Sequence, residues 1–425
     1  MNRRELFLAL AAAGVAFPAL ARAAASGGAA ADAATTARDL WLYGLPIVEM
    51  ATTRARHLKA GGGINRLLHT RKLADHQFRT VTTPNNDTLY SFAWLDLTNG
   101  PVTLTVPPLD RYWSVALMDM FTNNNAVLGT RTVGGQGGTF TIVGPGQAGG
   151  GPGTVRSATP HAWLLLRLLT DGGDDLPVTH ALQDRFSLTG PAGAPPPAHA
   201  PREAAPADYF ASLTTLLEAD PPPATDLRML AGLKTLKTDS PEVAAGVQQA
   251  RAIAQMAKGR QAYVQGWSYT RPNLGDYDQD YLYRAIIALL GLGALPVAEA
   301  MYMRAEGDSG GLFRGDDLYR LSLPARMPLD SFWSLSMYEV VEDGQQFFTA
   351  NPLNRYSIGD RTRGLKRNAD GSVDLWIGRA DPGGERSANW LPAPKAGPFS
   401  LTMRTYLPRA ELLDGRWRLP AIEKA

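Results

Sequence analysis

Asn85, Asn86 and Asp87, in "TTPNNDTLYSFAWLDLTNGP", place three short polar side chains at the mouth of an apolar run. Downstream, "RYWSVALMDMFTNNN" supplies Arg111, Tyr112, Trp113 and Asp119. Tyr90, Trp94, Tyr112 and Trp113 punctuate segments that also present Asp96, Arg111 and Asp119. Carboxylates on neighbouring strands can move a proton or bind a cation, and aromatic rings stack on a sugar or another ring. The pattern therefore predicts a cleft with Asp87 as acid/base, Arg111 as anion or oxyanion partner, and Asp119 as a further carboxylate. Asn85, Asn86, Tyr90 and Tyr112 would line it, with Trp333, Tyr338 and Trp390 contributed from the C-terminal part. A purely structural account fits the same residues: Asx turns, core aromatics and a buried Arg–Asp pair.

Other motifs carry less. "GDSGG" (307–311) matches the surroundings of the nucleophilic serine in trypsin-like proteases, and His161 lies upstream of it. A triad also needs an orienting acid and an oxyanion hole. No substrate-pocket framework accompanies the string, so it reads as a Gly-rich turn with Asp308 bonding its own backbone. Gly144-x-Gly146-x-x-Gly149 follows a strand, but further glycines and Pro152 exclude the helix N-terminus that a dinucleotide pyrophosphate requires. The six histidines form no i, i+4 pair, so the spacing assigns no metal and no cofactor. "DYDQD" (276–280) is the densest set of oxygen ligands for calcium, yet it suits a helix N-terminus equally well, and that reading is preferred.

These side chains need elements to hold them. Leu40, Tyr43, Ile47 and Met50 recur at helical spacing, predicting a helix over 37–58 interrupted near Pro46. Between 80 and 175, "TLYSFAWLDLT", "VTLTVP", "YWSVALMDMF" and "TFTIVG" read as strands of an antiparallel sandwich. The Pro/Ala-rich stretch 190–206 reads as a linker or exposed loop. Helical periodicity returns over 207–306, in "YFASLTTLLEA", "DLRMLAGLKTL", "PEVAAGVQQARAIAQMAKG" and "DQDYLYRAIIALLGLGA". Strands resume over 307–425 with "LYRLSLP", "FWSLSMYEV", "SVDLWIGR" and "FSLTMRTYLP". Asp370-Gly371 signals a hairpin turn.

The 425 residues suffice for two or three domains, each with its own core. Residues 1–24 predict a cleaved export signal: Arg3-Arg4, a short apolar run, then "ALA" and "ARA". Paired arginines favour the twin-arginine route, a plain Sec signal being the alternative, and the destination is periplasmic or secreted. After cleavage the net charge falls from +2 to near zero, so no basic field attracts nucleic acid or an anionic membrane. No membrane anchor is expected in the mature chain. The absence of cysteine excludes thiol chemistry and leaves stability to packing.

At the residues first singled out, the chain resembles a family of exported proteins that pairs domain of unknown function 1254 with domain of unknown function 1214. The motifs are "INRLLH" with Asn65 and His69, "TPNNDTLYS", "LDLTNGP", "RYWSVALMDMFTN" and "TFTIVGPG". Farther on come "YLYRA", "SFWSLSMYE", "NADGSVDLWIG", "NWLPAP" and "MRTYLPRAELLDGRWRLPAI". The resemblance implies a mainly β fold with a helical layer: an N-terminal immunoglobulin-like sandwich over 38–189 and a C-terminal jelly-roll-like sandwich. It also implies an Asp-x-x-Gly turn on Asp308 and Gly311, making Ser309 incidental. No reaction comes with it. Two departures stand out: the 190–206 stretch is long for the family, and the twin-arginine start is not general in it. Two functions remain open: a hydrolase or lyase acting on a glycan or small amphiphile between the β domains, and a non-catalytic binder of the same ligands. Either is compatible with a homo-oligomer.

Overall fold

The computed structural model describes residues 32–257, 262–306 and 312–425. The expected export signal and the turn at Asp308 and Gly311 lie outside these residues.

Helix α1 (Ala33–Lys59) begins where the Asp32 carboxylate accepts the Thr35 N–H at 2.8 Å. It starts four residues earlier than expected and is not interrupted at Pro46. A proline inside a helix removes one hydrogen bond and clashes with the preceding turn, at about 3 kcal/mol. Here every residue from Leu40 to Val48 is buried, and that burial offsets the loss.

The N-terminal unit contains β1 (Leu68–His69), β2 (Thr88–Asp96), β3 (Val102–Val106), β4 (Trp113–Asp119) and β5 (Asn124–Gly129). It continues with β6 (Gly138–Val143), β7 (Thr154–Arg156), β8 (His161–Leu169), helix α2 (Leu176–Gln183) and β9 (Ser187–Thr189). One sheet runs β1-β2-β8-β4-β5 and the other β7-β6-β3-β9. Ala93, Leu95, Leu164, Leu166, Val115 and Leu117 face the second sheet and form the sandwich core. The alternate positions Phe92, Trp94, Trp163, Leu165, Ala116 and Met118 face α1. Both faces of β2 and β8 are covered, so the strands are near-continuous apolar runs.

Three further helices complete the layer on α1: α3 (Pro206–Ala219), α4 (Pro241–Ala257) and α5 (Tyr281–Leu290). "DLRMLAGLKTL" forms only short 3₁₀ turns, Ala224–Asp226 and Leu233–Thr235, instead of the expected helix. Its apolar side chains are only partly buried, and a short helix without burial is marginal in water. The stretch 190–206 is extended and docked: Asn65 donates to the Pro191 carbonyl, and Asp96 accepts the Ala194 N–H.

The C-terminal unit begins inside the segment read as helical, with β10 (Tyr263–Val264), β11 (Trp267–Tyr269) and β12 (Ala300–Ala305). It continues with β13 (Phe313–Arg314), β14 (Tyr319–Leu323), β15 (Trp333–Val340), β16 (Gln346–Phe347), β17 (Ser357–Gly359) and β18 (Val373–Gly378). The last elements are β19 (Trp390–Pro392), β20 (Pro398–Tyr406), helix α6 (Ala410–Leu413) and β21 (Glu423–Lys424). The larger sheet runs β10-β11-β12-β20-β15-β16, with β13 on β20 and β17 on β15; the smaller runs β19-β18-β14-β21. Met303, Leu335, Leu401 and Met403 meet Leu321, Leu323, Leu375 and Ile377 between them. Gly371 adopts the turn conformation, φ +84°, that its sequence predicts. The flanking strands nevertheless pair elsewhere, β17 with β15 and β18 with β14, so no hairpin forms.

The class expected from the sequence, mainly β with a helical layer and two sandwiches, is the one observed. Phe332, Tyr406 and Leu407 of the C-terminal unit enter the same core as α1 and the first sheet. The two units thus share a buried seam.

Candidate functional site

Residues 82–87, entering β2, lie across the larger C-terminal sheet. The Thr83 N–H donates to the Gln346 carbonyl at 2.8 Å, and Thr83 takes a positive φ of 49° to do so. Tyr338 Oη donates to the Pro84 carbonyl at 2.7 Å. Arg404 donates to the Thr83 carbonyl at 3.0 Å and to Ser336 Oγ at 2.8 Å. Asn85 Nδ2 donates to Tyr406 Oη at 2.9 Å, and Asn86 Oδ1 accepts from Ser357 Oγ at 2.9 Å. Asp87 is buried. Its carboxylate accepts from Ser334 Oγ at 2.5 Å, and its own N–H donates to Asn85 Oδ1 at 2.7 Å.

Beside this strap, strand register lines up Tyr90 on β2, Arg167 on β8 and Ser114 on β4. All three point away from the sandwich core, with Tyr112 just beyond. Opposite them, register pairs Tyr302 on β12 with Arg404 on β20, next to Tyr406. Arg167 is 5% exposed and its guanidinium lies 5.2 Å from the Tyr90 ring centre. Its Nη2 donates to the Gly293 carbonyl at 2.5 Å, whereas its Nη1 and Ser114 Oγ are buried without a hydrogen-bond partner among the described residues. Glu299, fully buried, accepts from Tyr112 Oη at 3.0 Å and from Arg131 Nε at 2.8 Å.

The electrostatics follow from burial. Desolvation raises the Glu299 carboxyl pKa, and it pushes the Tyr112 and Tyr406 phenols well above their ordinary value. Burial alone would lower Arg167 and Arg404. Their Tyr neighbours, and the Asp87 carboxylate at Arg404, act in the opposite direction, and with an ordinary value far above neutral pH both guanidiniums stay charged. The set is two cations among phenols that remain neutral donors. Tyr90 and Tyr302 keep accessible surface although Arg167, Arg404 and Tyr406 around them are buried. That surface leaves the two phenol rings partly open to solvent beside the seam. Half-buried Leu68, Leu289 and Leu292 pack on the same core, and Leu292 precedes the glycine that holds Arg167.

Residues 64–190 match the family described as protein of unknown function DUF1254, and residues 299–410 match DUF1214. The chain belongs to the DUF1254–DUF1214 family. The seam is built from both matched regions, Asn85 to Tyr90 and Arg167 from the first, Ser334, Tyr338, Arg404 and Tyr406 from the second. A crystal structure of the VPA0106 protein from Vibrio parahaemolyticus is similar over 93% of this chain and 100% of that one, with TM-score 0.70 and 23% identity. At that identity the likeness shows the fold. An uncharacterized protein from Burkholderia cenocepacia matches at TM-score 0.47 and 14% identity over 91% of this chain and 86% of its own. A comparison with curated proteins finds no match.

In this DUF1254–DUF1214 protein the structure gathers Asn85, Asn86, Asp87, Tyr90, Tyr112 and Tyr338 at one seam. It does not bring Arg111, Asp119 or Trp390 to them. Arg111, two residues before β4, donates to Asp175 at 2.5 Å and to Thr179 at 3.2 Å. Asp119 sits at the other end of β4, roughly 25 Å along the strand. There its carboxylate accepts the Phe121 and Asn123 N–H groups and the Asn125 amide, closing a loop. Trp390 Nε1 donates to the Gly378 carbonyl inside the C-terminal sandwich. Trp333 adjoins Ser334 but packs into that same core.

Sequence reasoning missed Arg167, Glu299, Tyr302, Arg404 and Tyr406. One signal was available: Arg167 is the lone charge in "HAWLLLRLL", and a buried arginine in a strand demands a partner. Two other arrangements are structural. His69 Nδ1 lies 2.7 Å from Ser91 Oγ, but Ser91 is 0% exposed and accepts from Gln183, so it has no path to a substrate. Asp280 of "DYDQD" caps α5 by accepting the Tyr283 N–H at 3.2 Å. Among the described residues no group of three His, Asp or Glu is placed to hold a metal ion.

Proposed function

We propose that this protein is a ligand-binding protein for a small anionic amphiphile, held at the seam between its two β units. The observation that carries the reading is Arg167 Nη1, buried and unpartnered beside Tyr90 and Tyr302. An orphaned charged donor in low dielectric costs several kcal/mol unless something accepts from it. An oxyanion on the ligand would be that acceptor, with neutral phenols adding donors and Leu68, Leu289 and Leu292 meeting an apolar tail. Binding is favoured over the hydrolase or lyase reading on chemical grounds. Asp87 is engaged by Ser334 and sealed from solvent, and phenols raised far above neutral pH are poor proton carriers. The start of the chain, with Arg3-Arg4 ahead of an apolar run, supports export before the protein acts.

The test is a thermal-shift and calorimetric comparison of dodecanoate, dodecanol and acetate on the chain lacking residues 1–24. Dodecanoate is expected to bind and to raise the unfolding temperature, more than either the uncharged alcohol or the tail-less acid. Arg167→Met is expected to abolish the difference between dodecanoate and dodecanol. Equal responses to all three ligands, or an undiminished preference in Arg167→Met, would overturn the reading.

A further inference from the structure

A concavity lies on the C-terminal unit: its Trp333 and Asp360 are chain neighbours of Ser334 and Arg361, which bond across the seam, but neither Arg167 nor any residue bonded to it lines the hollow. It is a shallow depression of about 310 Å³. Three arginines reach its rim from three separate segments: Arg326 between β14 and β15, Arg367 between β17 and β18, and Arg409 after β20. Convergence from three loops is what distinguishes a built site from a charged stretch of chain. Their existing bonds leave donors to spare. Arg326 makes no side-chain hydrogen bond or ion pair among the described residues, Arg367 donates to the Gly371 carbonyl at 3.2 Å, and Arg409 Nε donates to Asp330 at 2.6 Å. A guanidinium carries five donors, so each retains capacity for an anion.

The fourth polar group is Asp360, whose Oδ1 accepts the Trp333 N–H at 3.4 Å. Trp333, Met327, Leu329 and Val373 also line the hollow, with only a small part of their apolar surface open to it. The two halves of this lining ask for different things. Guanidiniums on one side take a carboxylate in paired, fork-like hydrogen bonds. A carboxylate acceptor beside an indole and aliphatic groups suits a ring that shows hydroxyls at its edge and C–H groups on its face. A bare inorganic anion would satisfy the arginines and leave most of the volume empty.

We propose that this depression binds an acidic sugar, a single hydroxylated ring bearing one carboxylate. Its carboxylate lies among Arg326, Arg367 and Arg409, a ring hydroxyl donates to Asp360, and the ring's C–H edge meets the small apolar surface that Leu329 and Trp333 leave open. Burial raises Asp360 to about 6, so at neutral pH it is the ionised acceptor this geometry uses. The Trp333 N–H, Arg361 and Arg367 act in the opposite direction on the same carboxyl.

The experiment is calorimetric titration of the chain lacking residues 1–24 with glucuronate, glucose and inorganic phosphate at neutral pH. Glucuronate is expected to bind saturably and more tightly than either control. The pair Arg326→Gln and Arg367→Gln, both exposed residues, should weaken it about tenfold or more without moving the unfolding temperature. Asp360→Ala should weaken glucuronate while leaving phosphate unchanged. Arg167→Met should leave glucuronate binding intact, so failure here and failure at the seam are distinguishable. No saturable glucuronate binding, equal binding of glucose or of phosphate, or full binding by the double variant would each overturn the proposal.

Discussion

The Ser334 hydroxyl donates to the Asp87 carboxylate across 2.5 Å, joining residues 247 positions apart in the chain. Both are buried, and each belongs to a different sandwich. The bond is therefore part of the mechanical tie between the units. Its loss is expected to weaken the whole fold, because the two units share one core. Ser334→Ala should cost about 1–2 kcal/mol. Asp87→Ala should cost more, about 3 kcal/mol, because it also strips a counter-charge from Arg404. Urea unfolding followed by tryptophan fluorescence measures both. Midpoints equal to that of the parent chain would show that the seam contributes no stability.

The two buried arginines of the seam should respond oppositely to removal. Arg404 makes bonds to Ser336 and Thr83, so Arg404→Met breaks a satisfied network and should cost about 2–4 kcal/mol. Arg167 leaves one nitrogen orphaned. In the absence of ligand, Arg167→Met is expected to be close to neutral, or to stabilise by about 1 kcal/mol. Chemical denaturation of the ligand-free variants decides it: a large loss for Arg167→Met would mean that its charge is already compensated.

Close helix approach makes a third prediction. A Cβ on Gly246 in α4 would lie 2.1 Å from the backbone oxygen of Ala34 in α1. One on Gly44 would lie 2.6 Å from Leu213 Cδ2, the movable end of a side chain. Alanine gains about 1 kcal/mol of helix propensity over glycine at each site. The clash with fixed backbone should outweigh that gain at 246, so Gly246→Ala costs about 2–3 kcal/mol, and Gly44→Ala costs less. Thermal unfolding of the two variants ranks them, and the reverse order would contradict the α1–α4 contact.

Acidification should act on stability through two groups of opposite sign. His57 stacks on Phe92 at 4.0 Å, and burial, helped by the Arg56 charge, lowers its pKa to about 4. Because this folded value is depressed, its contribution is present above the unfolded value near 6.5. It is lost as pH falls through 4, at most about 3 kcal/mol. Asp360 is raised to about 6 by burial, so the folded state gains relative stability as pH falls from 6 towards 4, on the order of 2 kcal/mol. Unfolding free energies of His57→Gln and Asp360→Asn between pH 4 and 7 should diverge from the parent in opposite directions. Parallel curves for all three proteins would contradict both environments.

Much of the local structure was legible in the sequence because it depends on near neighbours. Short β-branched and aromatic runs gave β2, β4, β15 and β20, helical spacing gave α1, α3, α4 and α5, and a polar cluster ahead of β2 marked Asn85 to Asp87 as important. Where burial overrode a local rule, the reading failed: Pro46 stays inside α1, and "DLRMLAGLKTL", poorly covered, never becomes a helix.

The sequence by itself marked most of the longer strands and helices, and it grouped the polar residues opening the first sandwich with Tyr90, Tyr112 and Tyr338. Only the tertiary structure decided their company: Arg167 and Arg404 stand where Arg111 was expected, and Asp119 closes a distant loop. The reason is physical. Strand register and the meeting of two sheets are set by long-range pairing and by how the apolar faces fit, and neither is written in the spacing of residues along one strand.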